Sequence, residues 1–147
     1  MRADLIKKGS KVFLSYARSD REPARRIAGR LRKAGFEVWD PERELLPGGD
    51  WTSELKAALG SADAFVVLMS PEAMESRYLS YEIEYALGAK HLRGRLIPVM
   101  VRPTKDAPWI LNSLQPVRYQ GPSKTGDQIV HLLTQPVDAP QASRRAH

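Results

Sequence analysis

The feature that most constrains the fold is an unbroken apolar run, Ala64 to Met69, with amphipathic stretches before and after it. A run of this length without alternating polar residues is typical of an interior strand of a parallel sheet that is covered on both faces. Other strand-like runs recur along the chain, with room for a helix between them. Strands that alternate with helices predict an α/β fold with a parallel sheet and right-handed crossovers.

Five segments have the length and apolar content of strands. They are Lys11 to Tyr16, Phe36 to Asp40, Ala64 to Met69, Leu96 to Val101 and Val117 to Tyr119. Pro98 lies inside the fourth, and because proline has no N–H to donate to the ladder we expect a β-bulge there. The sequence thus predicts a flavodoxin-like open parallel sheet of five strands with helices on both faces.

Helix-start signals precede the predicted helices. They are the capping-box pattern Ser19-Asp20-Arg21-Glu22, the caps Asp50 and Ser70, and the pattern Thr125-Gly126-Asp127-Gln128. The first helix is expected to end at Gly35 and the third to continue, whole or broken, to about Lys90. Between the second strand and the second helix we expect a loop, Pro41 to Gly49, because Pro47-Gly48-Gly49 favours irregular backbone.

Length and composition indicate one domain. A chain of 147 residues can bury a sizeable core, and the absence of cysteine excludes disulfides, thiolate metal sites and a cysteine nucleophile. We expect a lead at 1–10, the domain at 11–134 and a flexible tail at 135–147. No apolar run approaches the ~18 residues of a membrane span, which favours a soluble cytoplasmic protein without a membrane partner.

The net charge of +6 raises the question of an anionic partner. Much of this charge lies on the first predicted helix, whose alanine, isoleucine and leucine residues keep a core-facing spacing. We therefore interpret the charge as a solvated helix face and expect no nucleic-acid partner, although a nucleic-acid-associated domain remains a third hypothesis.

The sequence offers few candidate residues for catalysis or ligand binding. No glycine-rich phosphate loop is present, and the three histidines are scattered without metal-ligand spacing, so we expect no metal site. Tyr78 and Glu82 lie four residues apart and therefore share one edge of a helix. Glu84 flanks the apolar stripe of the same helix on its other side, and spacing alone does not separate the two carboxylates.

Three ordered blocks resemble the Toll/interleukin-1 receptor (TIR) domain. Phe13-Leu14-Ser15-Tyr16 is similar to its first box, Leu46 to Trp51 to the loop after its second strand, and Ser70 to Glu82 to its third region with a W-C-x-x-E pattern. Tyr78 and Leu79 replace the Trp and Cys of that pattern. The resemblance covers about Lys11 to Leu133.

The resemblance implies cleavage of NAD+ at the nicotinamide–ribose bond, with NAD+ as substrate and no cofactor. Glu82 matches the essential carboxylate of NAD-cleaving TIR domains. Trp39 matches an aromatic residue that borders the nucleotide, and Tyr78 retains an aromatic face. The loop that would contact ribose or pyrophosphate contains Ser15, Tyr16 and Arg18. From the residues alone, Trp39 and Tyr78 are equally compatible with packing, and Arg18 with a surface charge.

One carboxylate suffices for this reaction, because nicotinamide leaves as a neutral molecule from a cationic pyridinium and needs no general acid. A preorganised carboxylate can stabilise the oxocarbenium-like ribose electrostatically. Whether the product is linear or cyclic ADP-ribose is left open by the sequence.

The resemblance also implies activation by self-association in bacterial immune or cell-death signalling, with other TIR or effector proteins as further partners. The assembly loop would be Pro47, Gly48, Gly49 and Asp50. The alternative function is a TIR–TIR interaction module, an adaptor or scaffold that catalyses nothing.

Overall fold

The computed structural model describes residues 9–45 and 47–135. Its sheet has five parallel strands in the order β2-β1-β3-β4-β5, which confirms the predicted fold class. The elements are β1 (Lys11–Ser15), α1 (Arg21–Lys33), β2 (Glu37–Trp39), α2 (Pro41–Glu44), α3 (Trp51–Ser61), β3 (Ala64–Met69), α4 (Pro71–Glu75), α5 (Arg77–Gly88), β4 (Leu96–Met100), α6 (Trp109–Ser113), β5 (Val117–Arg118) and α7 (Pro122–Leu133).

The core has two layers, one on each face of the sheet. Every residue of β3 is buried, as expected for a central parallel strand. Val66 and Leu68 pack in the cluster that includes α1 and α7, whereas Phe65 and Val67 pack in the cluster that includes α3 and α5. Because successive strand residues point to opposite faces, the strand supports both layers at once.

Two of the predicted caps are confirmed. The Asp50 side chain accepts a hydrogen bond from the N–H of Ser53 at 3.3 Å, and Ser70 Oγ accepts one from the N–H of Ala73 at 3.1 Å. In both cases the donor lies three residues after the cap, so the interaction is contained in a few residues of sequence.

The other two caps are wrong. The predicted capping box makes Ser19 the cap, but α1 begins at Arg21 with Asp20 as its N-cap residue. The Asp20 side chain makes no capping bond because its carboxylate turns toward partners elsewhere in the fold. The last helix begins at Pro122, three residues earlier than its predicted cap. Gly121, with φ of 89°, admits the turn before it. Thr125 instead accepts the N–H of Gln120 at 2.9 Å.

The bulge expected at Pro98 is also absent. Pro98 pairs with Val67 in a register that runs unbroken along β4. The N–H of Val101 bonds to β3, and because donors alternate between the two sides of a strand, the nitrogen of Pro98 faces the β5 side. There β5 pairs only with Val99 and Met100, so the missing N–H breaks no ladder bond.

Three further observations concern helices. The predicted loop after β2 contains the one-turn helix α2. The third predicted helix, expected whole or broken, is broken into α4 and α5 at Ser76, whose hydroxyl caps α5 by accepting the N–H of Leu79. The apolar spacing of that helix predicts Leu87 in the core stripe with Leu79, Ile83 and Ala86, but Leu87 is exposed.

The predicted lead and tail lie almost entirely in residues 1–8 and 136–147, outside the described residues. Among the helices of 9–45 and 47–135, none has both the length and the apolarity needed to cross a membrane.

Candidate active site

Glu82 lies in the second turn of α5 and is only 4% exposed. Its carboxylate faces the end of β1, where the hydroxyl of Ser15 donates a hydrogen bond to Oε1 at 2.6 Å. Glu84, two residues further along the helix, is exposed. The tertiary structure therefore separates the two carboxylates that spacing alone left equivalent.

Burial raises the pKa of Glu82 to about 7, and the hydrogen bond from Ser15 lowers it in part. A carboxylate out of water is harder to ionise because the charged form loses its hydration. The same desolvation strengthens its attraction for a positive charge placed next to it. A strongly shifted group at the end of the strands is a reasonable candidate for chemistry.

Tyr16, the next residue after Ser15, is buried, and its hydroxyl donates to Asp40 Oδ1. Burial and the neighbouring Asp40 raise the pKa of Tyr16 far above its ordinary value. Asp40 follows β2 and also accepts the N–H of Glu42 at 3.1 Å, which caps α2. The predicted binding residue Tyr16 is thus hydrogen-bonded to Asp40, at the start of the loop after β2.

The other predicted binding residues are more accessible. The side chain of Arg18 is 84% exposed and lies 3.9 Å from Glu42. Trp39 is half-buried and stacks on Phe13, with ring centroids 5.0 Å apart. Tyr78 is 62% exposed.

Tyr78 packs beside Trp51, with the ring centroids 6.3 Å apart. The sequence placed Trp51 only at the end of the block that resembles the loop after the second strand, and did not indicate a contact with Tyr78. Its position directly after the cap Asp50, at the end of the assembly loop, is the signal that could have indicated this contact. The two rings form an exposed aromatic pair.

A buried polar cluster was missed altogether. Asp20 is 2% exposed and accepts hydrogen bonds from Ser70 Oγ at 2.5 Å and from Arg102 Nη2 at 2.8 Å. Arg102 also pairs with Glu72 at 2.7 Å. These residues follow β1, β3 and β4, so the cluster ties three loops together. The available signal was a polar residue immediately after a strand, at the edge where sites of such sheets lie.

The predicted assembly loop is solvent-exposed. Pro47, Gly48, Gly49 and Asp50 are all exposed, and Gly48 has φ of 81°, a conformation that side chains disfavour. Its role in assembly stays a prediction.

The structure also contains a groove of about 400 Å³ that runs along β2 and reaches Trp39 of the candidate site. It lies between α3 and the edge strand β2 and includes Lys11, Glu37, Trp39, Glu54 and Ala57, but not Glu82. Within residues 9–45 and 47–135 no group of three His, Cys, Asp or Glu side chains could hold a metal ion.

A doubly wound sheet with a buried glutamate at the carboxyl ends of its strands defines the class of protein, and sequence comparison defines the family. The profile of the TIR domain matches residues 12–133. The chain belongs to the TIR domain family.

Two bacterial relatives have names that describe activities on NAD+ or its products. The chain is 31% identical over 97 residues to the 2' cyclic ADP-D-ribose synthase BtTIR of Bacteroides thetaiotaomicron, covering 64% of this chain and 33% of that protein. It is 27% identical over 97 residues to the NAD(+) hydrolase PdTIR of Paracoccus denitrificans, covering 65% and 32%. The chain spans about a third of the length of the curated relatives it matches.

Solved structures support the fold. The TIR-STING receptor of C. gigas superimposes with a TM-score of 0.72 at 24% identity, covering 85% of this chain and 39% of that one. The TIR domain of the Toll-related receptor TRR-2 of Hydra magnipapillata superimposes with a TM-score of 0.64 at 23% identity, covering 74% and 82%.

Proposed function

We propose that this TIR domain cleaves the nicotinamide–ribose bond of NAD+. The observation that carries the proposal is the buried carboxylate of Glu82, held by Ser15 at the carboxyl ends of β1 and β3. In the strand order of this sheet, that place is the switch point where such folds bind ligands.

In the proposed reaction the bond between the pyridinium nitrogen and ribose C1′ breaks, and its electron pair leaves with neutral nicotinamide. The ribose then carries positive charge, which the ionised Glu82 carboxylate stabilises in a site with little water. An oxygen nucleophile then bonds to C1′ and releases its proton to solvent. Water gives linear ADP-ribose, and an internal oxygen gives a cyclic product.

The remaining site residues have proposed binding roles. Trp39 and Tyr78 bound the nucleotide, with Trp51 beside Tyr78, because aromatic rings stack on heteroaromatic groups. Ser15 orients the carboxylate, and Arg18 is exposed enough to reach a phosphate. Tyr16 would contact ribose only after its hydroxyl leaves Asp40.

The two bacterial relatives support the proposal, since one is named for a cyclic product and the other for hydrolysis. Because their names differ in product, they do not choose between linear and cyclic ADP-ribose here. We further propose, from the family resemblance, that self-association through the loop that ends at Asp50 activates the domain in bacterial immune or cell-death signalling.

The test is to compare Glu82→Gln with Glu84→Gln. Both substitutions remove one carboxylate from α5, but only the first removes a buried one. We expect nicotinamide release to fall at least about 100-fold in Glu82→Gln and to stay within about twofold of wild type in Glu84→Gln. Product separation by chromatography and circular dichroism of both variants complete the measurement. Retained activity in folded Glu82→Gln would contradict the proposal.

The alternative is a non-catalytic TIR–TIR interaction module. Exposed aromatic side chains favour it, since Trp109 is 77% exposed and Tyr78 and Trp51 are 62% and 45% exposed. Large exposed aromatic groups are enriched at protein interfaces. Wild-type protein that self-associates but releases no nicotinamide at any concentration would select this function.

A further inference from the structure

Two consecutive residues at the end of β1 hold two different parts of the candidate site. Ser15 donates its hydroxyl to Glu82 on α5, and Tyr16 donates its hydroxyl to Asp40 after β2. All four side chains are buried, so neither hydrogen bond is readily replaced by one to water.

Asp40 is also the base of the loop after β2. One of its oxygens, Oδ1, accepts both the Tyr16 hydroxyl and the N–H of Glu42, and so caps α2. Glu42 in turn lies 3.9 Å from Arg18 and 3.7 Å from Arg21. The start of the loop is therefore attached to the segment that follows β1 by one buried hydrogen bond and two exposed ion pairs.

We propose that the Tyr16–Asp40 hydrogen bond is a positioning link, through which the conformation of residues 41–45 and 47–50 sets the placement of Ser15 against Glu82. The inference deepens the proposed function by naming a route by which loop rearrangement on assembly reaches the carboxylate. Tyr16 and Asp40 act through Ser15 and need not touch the reacting atoms.

The covalent connection between Ser15 and Tyr16 is short and stiff. Ser15 and Tyr16 share one planar peptide unit, with Cα atoms about 3.8 Å apart. A movement of α2 that displaces Tyr16 therefore displaces Ser15 as well. Tyr16 packs in the cluster that includes α1 and Ser15 faces α5, so the link crosses from one face of the sheet to the other.

The pKa of Glu82 is a direct measure of this link. Its pKa depends on burial and on the hydrogen bond from Ser15, without a contribution from a charged side chain of the described residues. If Ser15 moves away, the stabilisation of the ionised form weakens and the pKa of Glu82 rises.

The experiment is a carbon-13 NMR titration of the Glu82 carboxyl in the full chain without NAD+. Tyr16→Phe removes the hydroxyl and keeps the ring, and we expect it to raise the titration midpoint by about half a pH unit. Ser15→Ala sets the largest shift that loss of the Ser15 bond can produce. Tyr119→Phe is the matched control, because this half-buried tyrosine packs on the same cluster and should leave the midpoint unchanged.

The double variant Ser15→Ala with Tyr16→Phe decides whether the effect passes through Ser15. We expect its midpoint to equal that of Ser15→Ala alone, because the Ser15 hydroxyl through which Tyr16 acts is already absent. Additive shifts, or a Tyr16→Phe midpoint equal to that of wild type, would overturn the proposal.

A second pair of variants covers the case in which Tyr16→Phe does not fold. Asp40→Asn keeps an oxygen that can accept the Tyr16 hydroxyl, whereas Asp40→Ala does not. We expect the midpoint to rise in Asp40→Ala and to return toward wild type in Asp40→Asn. Equal midpoints in the two variants would contradict the link. Since the titration needs no catalysis, failure of NAD+ cleavage alone would overturn the proposed function and leave the link standing.

Discussion

The carboxyl edge of the sheet and the groove along β2 treat polar side chains in opposite ways. At the carboxyl edge, Ser15, Asp20, Asp40, Ser70 and Glu82 are all buried and hydrogen-bonded. In the groove, the charged groups Lys11, Glu37 and Glu54 remain exposed.

The difference shows where this fold concentrates its buried polar groups. Burying a polar group costs free energy unless it is paired, so a concentration of such groups needs a reason. The groove is lined by exposed charged side chains, whereas the carboxyl edge contains a buried glutamate with its pKa raised to about 7. Four predictions test this contrast.

The largest expected effect is on stability at the carboxyl edge. Arg102→Leu leaves the buried carboxylate of Asp20 without its cation and should reduce the free energy of unfolding by about 3 kcal/mol. Glu54→Gln, in the groove, should change it by less than about 0.5 kcal/mol. Urea denaturation measures both. Equal effects of the two substitutions would show that the two regions do not differ in this way.

The second prediction concerns stability and pH. The pKa of Glu82 is about 7 in the folded chain against an ordinary value of 4.5, so the folded state binds the proton more tightly than the unfolded state. The contribution of this group is therefore fully present below about pH 4.5 and is lost as pH rises through about 7. Glu82→Gln lacks this loss and should be more stable than wild type by about 3 kcal/mol at pH 8.

Denaturation of both proteins at pH 5 and pH 8 measures this difference. Glu84→Gln serves as control, because its exposed side chain should leave the wild-type pH dependence intact. A wild-type stability that does not fall between these two pH values, relative to Glu82→Gln, would contradict the burial of Glu82.

The third prediction concerns the exposed part of the carboxyl edge, the assembly loop. If a neighbouring copy completes the site, nicotinamide released per protomer should rise about tenfold as the protein concentration increases, and then reach a plateau. Gly48→Val, which places a β-branched residue at φ of 81°, should lower turnover and self-association together. A flat response from demonstrably monomeric protein would reject the shared site and leave NAD+ cleavage itself intact.

The smallest effect is expected in the groove. Ala57→Leu adds bulk to an exposed position on α3 in the groove, which does not include Glu82. Nicotinamide release should remain within about twofold of wild type. A tenfold loss would show that the active site extends along the groove beyond Trp39 and would remove the contrast between the two regions.

The sequence by itself determined the five strands and their parallel arrangement. The apolar run of β3 and the caps Asp50 and Ser70 depend on interactions within a few residues, which a local pattern contains. The family blocks pointed to Glu82, and the alternation of strands with helices placed any site at the carboxyl edge.

Only the tertiary structure decided which polar groups are buried and with what partners. The Asp20 side chain does not cap α1 because its carboxylate accepts hydrogen bonds from Ser70 and Arg102. These partners are 50 and 82 residues away in sequence, so no local pattern contains them. Pro98 needs no bulge because β5 is too short to pair beside it.

Glu82 and Glu84 have similar local surroundings in sequence, yet only Glu82 meets the end of β1, 67 residues away. Secondary structure follows from short-range periodicity and hydrogen bonding. Desolvation and long-range pairing, which raise the pKa of Glu82, depend on how every other element of the chain packs around that position.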